Sequence, residues 1–167
     1  INKYHSQNLI FKTLILHFVF ILTVILYSPI SIAKSKLHEI LEAGELRVGT
    51  TGDWNPMSIK DPATNEYIGF DIEIVSQLAE DMGVKIKFVP TEWKTLVSGI
   101  ISNKYDLTTS ASLSEKRALT AGYTNSFFKL ATVPLTLKKN LSQFNDWNDI
   151  NNSKVNVAVT LGTVQEQ

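Results

Sequence analysis

The chain has 167 residues, and its sixteen basic and sixteen acidic side chains give a formal net charge of zero. This balance does not support a nucleic-acid or anionic-membrane partner, because such partners select a basic excess. There is no cysteine, which excludes disulfides and thiolate catalysis. The three histidines, His5, His17 and His38, all lie near the N-terminus. The rest of the chain therefore offers no Cys/His metal site and no Ser-His-Asp triad.

Residues 1–33 have the pattern of an export signal. Lys3 and Lys12 precede an apolar stretch from Thr13 to Tyr27, and SPISIA then ends in small residues with Ala33 at the cleavage position. We therefore expect residues 1–33 to be a signal peptide. The alternative is a retained membrane anchor, since residues 13–33 carry no formal charge and are long enough to span a bilayer. Either way, we expect the remainder to be exported.

Beyond residue 33 the chain alternates between helix-like and strand-like patterns. Apolar spacing and end signals predict helices over 36–43, 71–82, 93–102, 114–121 and 147–152. Short apolar or alternating runs predict strands over 46–48, 85–89, 106–110, 130–137 and 155–159, and the turn residues of DPATNE predict a hairpin or loop over 58–67. Asp71 is the expected N-cap of the 71–82 helix and Gly83 its stop. This alternation predicts an α/β fold built on a parallel sheet.

The alternation also predicts two lobes. Residues 34–139 form the expected first α/β lobe, and residues 140–167 contain a linker, NLSQFNDWNDINNSK, followed by one strand, a turn and the start of a helix. A single strand cannot bury its own faces. We therefore expect residues 140–167 to be the beginning of a second α/β lobe that is cut short.

Two tryptophans follow strand ends, where open α/β sheets bind ligands. Trp54 lies in TTGDWNP after the first strand, and Trp93 lies in PTEW after the second. At matching strand ends, the two rings would sandwich the flat or apolar part of a small ligand. The alternative is that each ring packs on the core of its own domain.

An arginine and a Gly-Thr turn follow two further strand ends. Arg117 comes after a hydroxyl-rich segment near the start of a predicted helix, where the helix dipole gives no reason for a cation. Its fork suits a carboxylate, although the residue could instead be solvated or paired with Glu115. The segment GTVQ, Gly162 to Gln165, opens another predicted helix whose free N–H groups suit an anion.

Four segments together resemble the family 3 extracellular solute-binding proteins of the amino-acid-binding type. They are LRVGTTGDWNPM, YIGFDIEIVSQLAEDMG, YDLTTSASLSEKR and VAVTLGTVQE, and the similarity covers residues 37–167. The resemblance implies the type II periplasmic-binding-protein fold, in which two α/β lobes close on a small ligand. That fold would be complete here only for most of its first lobe. Within the family, GTTGDW and VPTEW are most similar to the branch of cyclohexadienyl (prephenate/arogenate) dehydratases, which are binding-protein-like enzymes.

The resemblance also implies roles for individual residues in a ligand site. Arg117 matches the arginine that grips an amino acid's α-carboxylate, and Thr163 and Val164 match a turn whose backbone N–H groups share that carboxylate. Ser110 and Ser112 match positions that contact the ligand amine and carboxylate. The acidic residue that receives the ligand ammonium in this family would lie beyond the printed sequence.

Three further matched positions concern the ligand side chain. Trp54 and Trp93 match the aromatic positions that flank it. Thr51 stands where binders of basic amino acids carry an aspartate, so the resemblance implies an apolar, aromatic or polar uncharged side chain.

The resemblance favours one function and leaves two others open. The favoured function is the periplasmic binding component of an ABC importer for amino acids or similar small carboxylates, a monomer that needs no cofactor or metal and docks on the transporter's membrane subunits. The first alternative is a cyclohexadienyl dehydratase, which needs a general acid. Glu166 would be that acid, with Glu92 or Lys94 also within reach of a cleft. The second alternative is a sensory input domain held by an uncleaved anchor.

Overall fold

The computed structural model describes residues 12–21 and 34–167, and the chain divides into two compact units, Ile1–Ser35 and Lys36–Gln167. In the first unit, residues 12–21 are helical. Within the two described ranges, none of the helices combines the length and the apolar content that a membrane crossing requires. The predicted cleavage position, Ala33, lies outside the described residues. The signal peptide therefore stays a prediction, as does the division of residues 34–167 into two lobes.

The second unit alternates helices and strands along the chain. Its helices are α1 (Lys36–Ala43), α2 (Phe70–Asp81), α3 (Leu96–Ile101), α4 (Glu115–Ala118) and α5 (Trp147–Ile150), with 3-10 turns at Trp93–Thr95 and Lys138–Gln143. Its strands are β1 (Glu45–Thr50), β2 (Asp53–Trp54), β3 (Ser58–Lys60), β4 (Tyr67–Ile68), β5 (Lys85–Pro90) and β6 (Leu107–Thr108).

The main sheet is parallel and has β1 at its centre. Its strand order is β5-β1-β6, with Glu45 opposite Lys85 at the start of the β1–β5 pair and Val48 opposite Leu107 in the β1–β6 pair. The predicted α/β fold with a parallel sheet is confirmed. Because all three strands run the same way, the segments that follow their carboxyl ends meet at one edge of the sheet.

A small antiparallel hairpin connects β1 to α2. It has the order β2-β3-β4, with Trp54 opposite Ser58 and Lys60 opposite Tyr67. Of the two alternatives predicted for 58–67, a hairpin or a loop, the hairpin is the one that forms. Because β2 begins just after β1 ends, the hairpin carries Trp54 to the carboxyl edge of the main sheet.

The core lies between the main sheet and its helices. Leu46 and Val48 of β1 are buried against Ile40 of α1 and against Val75 and Ala79 of α2. The last two are four positions apart, so they lie on one face of α2. This face packs α2 against the main sheet.

Tyr105 fills a slot that two glycines leave open. Its side chain is only 1% exposed, and its hydroxyl donates to the Leu96 carbonyl at 2.6 Å. A Cβ built on Gly49 would lie 2.6 Å from the tyrosine ring, and one on Gly99 would lie 2.1 Å from the hydroxyl. Both distances are too short for a carbon atom, so glycine is required at each position. The tyrosine thereby fixes α3 against β1.

An ion pair ties β1 to the segment before β6. The Arg47 Nη2 lies 2.6 Å from Asp106 Oδ1, and its Nε donates to Oδ2 at 3.1 Å. The Asp106 side chain is 4% exposed and that of Arg47 is 28% exposed. Burial acts to raise the pKa of Asp106, but the hydrogen bonds and charge of Arg47 outweigh it, so the pKa lies below its usual value.

The predicted N-cap of α2 is wrong. The helix starts at Phe70 with Gly69 as its N-cap, at φ 129°, and no side chain caps it. Asp71 lies inside the first turn, fully buried, and accepts a hydrogen bond from Ser110 at the end of the main sheet. A tertiary contact has therefore replaced the local capping bond. Gly83 at φ 67° confirms the predicted stop.

Two predicted strands, 130–137 and 155–159, do not form. Their apolar side chains are largely exposed, including Val133 at 77%, Leu135 at 100% and Val157 at 59%. A strand needs a hydrogen-bonded neighbour, and residues 12–21 and 34–167 place none beside either segment. The other predicted elements form with shifted ends. A separate 3-10 turn precedes α3, and both β6 and α4 are shorter than predicted.

Candidate functional site

A cavity of about 1000 Å³ lies where the segments after β1, β5 and β6 meet residues 132–136 and 155–165. Most of the residues predicted to bind a ligand line it. These are Trp54, Trp93, Ser110, Ser112, Arg117, Thr163 and Val164. Segments far apart in the chain are therefore brought to one concave surface, which is the usual form of a small-molecule site.

The two tryptophans form one corner of this cavity. The rings of Trp54 and Trp93 meet edge to face, with centroids 5.5 Å apart and an interplanar angle of 74°. The Trp93 indole Nε1–H donates to both carboxylate oxygens of Asp53, at 3.0 Å and 3.2 Å. Asp53 was not predicted to be a site residue. Its position beside Trp54 in the same turn was the only available signal.

The turn that carries Trp93 is fixed by its own hydrogen bonds. Thr95 Oγ1 accepts from the Glu92 backbone N–H at 3.3 Å, in a reciprocal capping arrangement. Thr91 Oγ1 lies 3.1 Å from Thr95 Oγ1, and the Tyr105 hydroxyl also donates to the Thr95 carbonyl at 3.1 Å. These bonds link the turn to the core, so the Trp93 backbone has a defined position at the cavity.

Arg117 supplies a buried positive charge on another wall. It lies in the short helix α4, whose N-cap Ser114 accepts from the Arg117 backbone N–H at 3.4 Å. The side chain is 6% exposed. Its Nη1 donates to the Ser112 carbonyl at 3.0 Å, and its Nη2 donates to the Gly162 carbonyl at 2.9 Å. Both known partners are uncharged.

No carboxylate neutralises this guanidinium within the described part of the chain. The ion pairs found among residues 12–21 and 34–167, at N–O distances up to 4.0 Å, do not include Arg117. Pairing with Glu115, the alternative considered from the sequence, is therefore absent. A buried charge without a counter-ion is costly, and an arginine has five N–H donors in a fixed fork. The arrangement can accept an anionic ligand at the free donors.

The Gly162 turn closes against the Trp93 turn. Gly162 has φ 83°, and a Cβ at this position would lie 2.4 Å from the backbone nitrogen of Lys94. Only glycine permits this approach. The contact brings the Gly162 carbonyl to Arg117 and places Thr163 and Val164 on the cavity wall.

Ser110 is held at the cavity in an unusual conformation. Its φ is 62°, in the left-handed region, and its Oγ donates to Asp71 Oδ2. The second carboxylate oxygen, Asp71 Oδ1, is buried and has no partner in the described part of the chain. Burial raises the pKa of Asp71, against a smaller opposing effect of Thr109. The hydroxyl hydrogen of Ser110 is thus directed away from the cavity, which leaves its oxygen as an acceptor for a ligand donor.

The remaining predicted residues do not line the cavity. Thr51 is half-buried outside it. Glu166 Oε2 accepts from the Gly162 backbone N–H at 3.0 Å, and Lys94 Nζ lies 3.2 Å from Glu92 Oε2 in an exposed pair. Within 12–21 and 34–167 there is also no cluster of three acidic or histidine side chains that could hold a metal ion.

Residues 46–160 match the family described as bacterial extracellular solute-binding proteins, family 3. The chain belongs to this family. The predicted resemblance is therefore confirmed, and the α/β fold with its parallel sheet is consistent with the periplasmic-binding-protein fold.

Relatives of this solute-binding protein include both an enzyme and binders. Cyclohexadienyl dehydratase from Pseudomonas aeruginosa is 33% identical over 137 residues, which is 80% of this chain and 50% of that protein. A probable histidine-binding protein from Campylobacter jejuni is 30% identical over 122 residues, or 72% of this chain and 46% of that protein. The chain spans about half the length of these relatives.

A solved structure supports the same fold. The crystal structure of an ancestral amino acid-binding protein, a precursor of cyclohexadienyl dehydratase, matches with a TM-score of 0.73 and 34% identity. The match covers 79% of this chain and 58% of that one.

Proposed function

We propose that this family 3 solute-binding protein is the periplasmic substrate-binding component of an ABC importer for amino acids or similar small carboxylates. It acts after export and signal peptide cleavage, as a monomer that delivers its ligand to the transporter's membrane subunits. The observation that carries the proposal is the buried Arg117 guanidinium, which lines the cavity without a carboxylate partner in the described part of the chain.

The ligand carboxylate supplies the missing counter-ion. Two of the guanidinium donors are committed to the carbonyls of Ser112 and Gly162. The others bind the carboxylate in the forked geometry that arginine favours. The tryptophan corner then contacts the ligand side chain. No covalent step is needed, since affinity comes from the charge-assisted hydrogen bonds and specificity from the tryptophan corner.

The test is a calorimetric titration of the full-length protein with a panel of L-amino acids, compared with its Arg117→Ala variant. Loss of a charge-assisted hydrogen bond costs about 1.5–3 kcal/mol. The variant should therefore bind the best ligand tenfold to more than a hundredfold less tightly. Lys116→Ala is the matched control, because Lys116 is the exposed cation next to Arg117 in α4 and should change affinity less than about twofold. An unchanged affinity in Arg117→Ala would overturn the proposal.

The second candidate is a cyclohexadienyl dehydratase, favoured by the similarity to the Pseudomonas aeruginosa enzyme. Such an enzyme eliminates water and carbon dioxide from prephenate or arogenate, and it needs a general acid near the leaving hydroxyl. Glu166 would have to give up its hydrogen bond with Gly162 and turn into the cavity.

Adding arogenate in the same calorimeter separates the two functions. A binder gives a saturating one-to-one isotherm that returns to baseline. An enzyme gives sustained heat after each injection, and Glu166→Gln should then abolish the sustained heat but leave binding intact. Sustained heat in the wild-type protein would replace the importer proposal with the dehydratase.

A further inference from the structure

The charged side chains of the cavity are few and of opposite sign. Of the described residues that line it, only Arg117 and Asp53 carry a formal charge. The others are aromatic, aliphatic, hydroxyl or amide side chains, and Trp54, Trp93 and Trp147 are the largest of them. A ligand that satisfies Arg117 with a carboxylate therefore meets one negative charge elsewhere on the wall.

Asp53 is not neutralised within the described part of the chain. No lysine or arginine among residues 12–21 and 34–167 forms an ion pair with it at N–O distances up to 4.0 Å. Among the described residues, its one side-chain partner is the Trp93 N–H, which is shared between its two oxygens. A single shared donor leaves most of the lone-pair positions of a carboxylate free.

The same hydrogen bond orients an aromatic ring. Trp93 stands at the start of a 3-10 turn that has no fully buried residue, and the bond from its Nε1 to Asp53 joins that turn to β2, forty residues earlier in the chain. With its Nε1 held there, the Trp93 ring meets Trp54 at 74°. Asp53 therefore acts on two properties of one wall, the orientation of the ring and the charge beside it.

We propose that Asp53 is a positioning and specificity-determining residue. Its carboxylate holds Trp93 against Trp54, and its charge excludes ligands whose side chain is anionic. The ligand class is then α-amino acids without an anionic side chain, and acidic amino acids and dicarboxylates are rejected. This inference rests on the proposed function, because it assumes that the ligand carboxylate lies on Arg117.

Two substitutions at one position separate orientation from charge. Asp53→Asn keeps an oxygen that can accept from the Trp93 N–H but removes the charge, whereas Asp53→Ala removes both. The probes are L-glutamine and L-glutamate, which have nearly the same shape and differ in side-chain charge. Affinities are measured by calorimetry in the full-length protein, and the tryptophan environment is followed by near-ultraviolet circular dichroism without ligand.

In the wild-type protein, L-glutamate should bind at least about tenfold more weakly than L-glutamine, because binding brings its side-chain carboxylate against Asp53, which is exposed without ligand, and like charges repel. Asp53→Asn should bring the two affinities to within about threefold of each other, with an unchanged dichroism spectrum. Asp53→Ala should also equalise them, but it should lose affinity for both ligands and alter the spectrum. Recovery of the wild-type spectrum by asparagine identifies the hydrogen bond rather than the charge as the positioning element.

The outcomes distinguish this inference from the function on which it rests. If the wild-type protein binds neutral amino acids and Asp53→Asn leaves the preference against L-glutamate unchanged, the inference is wrong and the proposed function stands. Equal binding of L-glutamate and L-glutamine by the wild-type protein would also show that the inference is wrong and would leave the proposed function standing. If the wild-type protein binds no amino acid of the panel, the inference and the proposed function fail together.

Discussion

Removal of the buried Tyr105 hydroxyl group tests how the turn that carries Trp93 is supported. The Tyr105 hydroxyl has one hydrogen, and its shortest bond is to the Leu96 carbonyl at 2.6 Å, with the Thr95 carbonyl at 3.1 Å. The ring is 1% exposed, so no water can replace the lost donor. A typical hydrogen bond contributes about 1 kcal/mol, and a carbonyl left without its partner adds to that loss. Tyr105→Phe should therefore lower the free energy of unfolding by about 1–2 kcal/mol.

The assay is urea unfolding of the full-length protein, followed by tryptophan fluorescence. The midpoint should fall at an unchanged m-value, since the surface exposed on unfolding is the same. Tyr123→Phe is the matched control, because the Tyr123 side chain is 38% exposed and its hydroxyl donates to the Ser112 carbonyl at 3.3 Å. The control should change stability by less than about 0.5 kcal/mol. Equal effects of the two substitutions would refute the reasoning, because burial would then not determine the cost.

The remaining predictions concern two carboxyl groups and one glycine. The pKa of Asp106 is lowered by Arg47, so its stabilising contribution is present above the unfolded pKa of about 3.9 and is lost as pH falls through the folded pKa. Asp106→Asn should thus destabilise by about 2 kcal/mol at pH 7, with a smaller difference in urea unfolding at acid pH. The pKa of Asp71 is raised by burial, so the sign of its pH dependence is opposite to that of Asp106. The wild-type protein should gain stability relative to Asp71→Asn as pH falls through the folded pKa towards the unfolded pKa of about 3.9. A difference that moves the opposite way in either series would contradict the account. Gly162→Ala should weaken binding of the best ligand at least about tenfold, because its Cβ would meet the Lys94 backbone and displace the Gly162 carbonyl from Arg117; an unchanged affinity would mean that the turn can shift freely.

The fold was predictable where the local pattern agrees with the tertiary environment. The apolar spacing in α2 and the alternation in β5 predict both elements, and the two form within a residue of the predicted ends. Residues 130–137 and 155–159 have equally apolar sequences but form no strands. An apolar run shows a tendency to pair, whereas a strand also needs a neighbour.

The candidate site was predictable where a residue type alone indicates its chemistry. Arg117 and the two tryptophans are recognisable in this way, and all three line the cavity. Asp53 was missed because its partner, Trp93, is forty positions away and comes close only through the pairing of β1 with β5. Asp71 was assigned to a local cap because the competing partner, Ser110, is 39 positions away in the sequence.

The most direct test of the central claim removes the carboxylate from the ligand. The best-binding L-amino acid and its carboxamide, which keeps the side chain and the ammonium group, are titrated into the full-length protein and into Arg117→Ala. The account predicts that the carboxamide binds the wild-type protein at least about tenfold more weakly, and that the difference disappears in the variant. Equal affinity of the wild-type protein for both compounds would show that the buried guanidinium does not bind the ligand carboxylate, and would contradict the account.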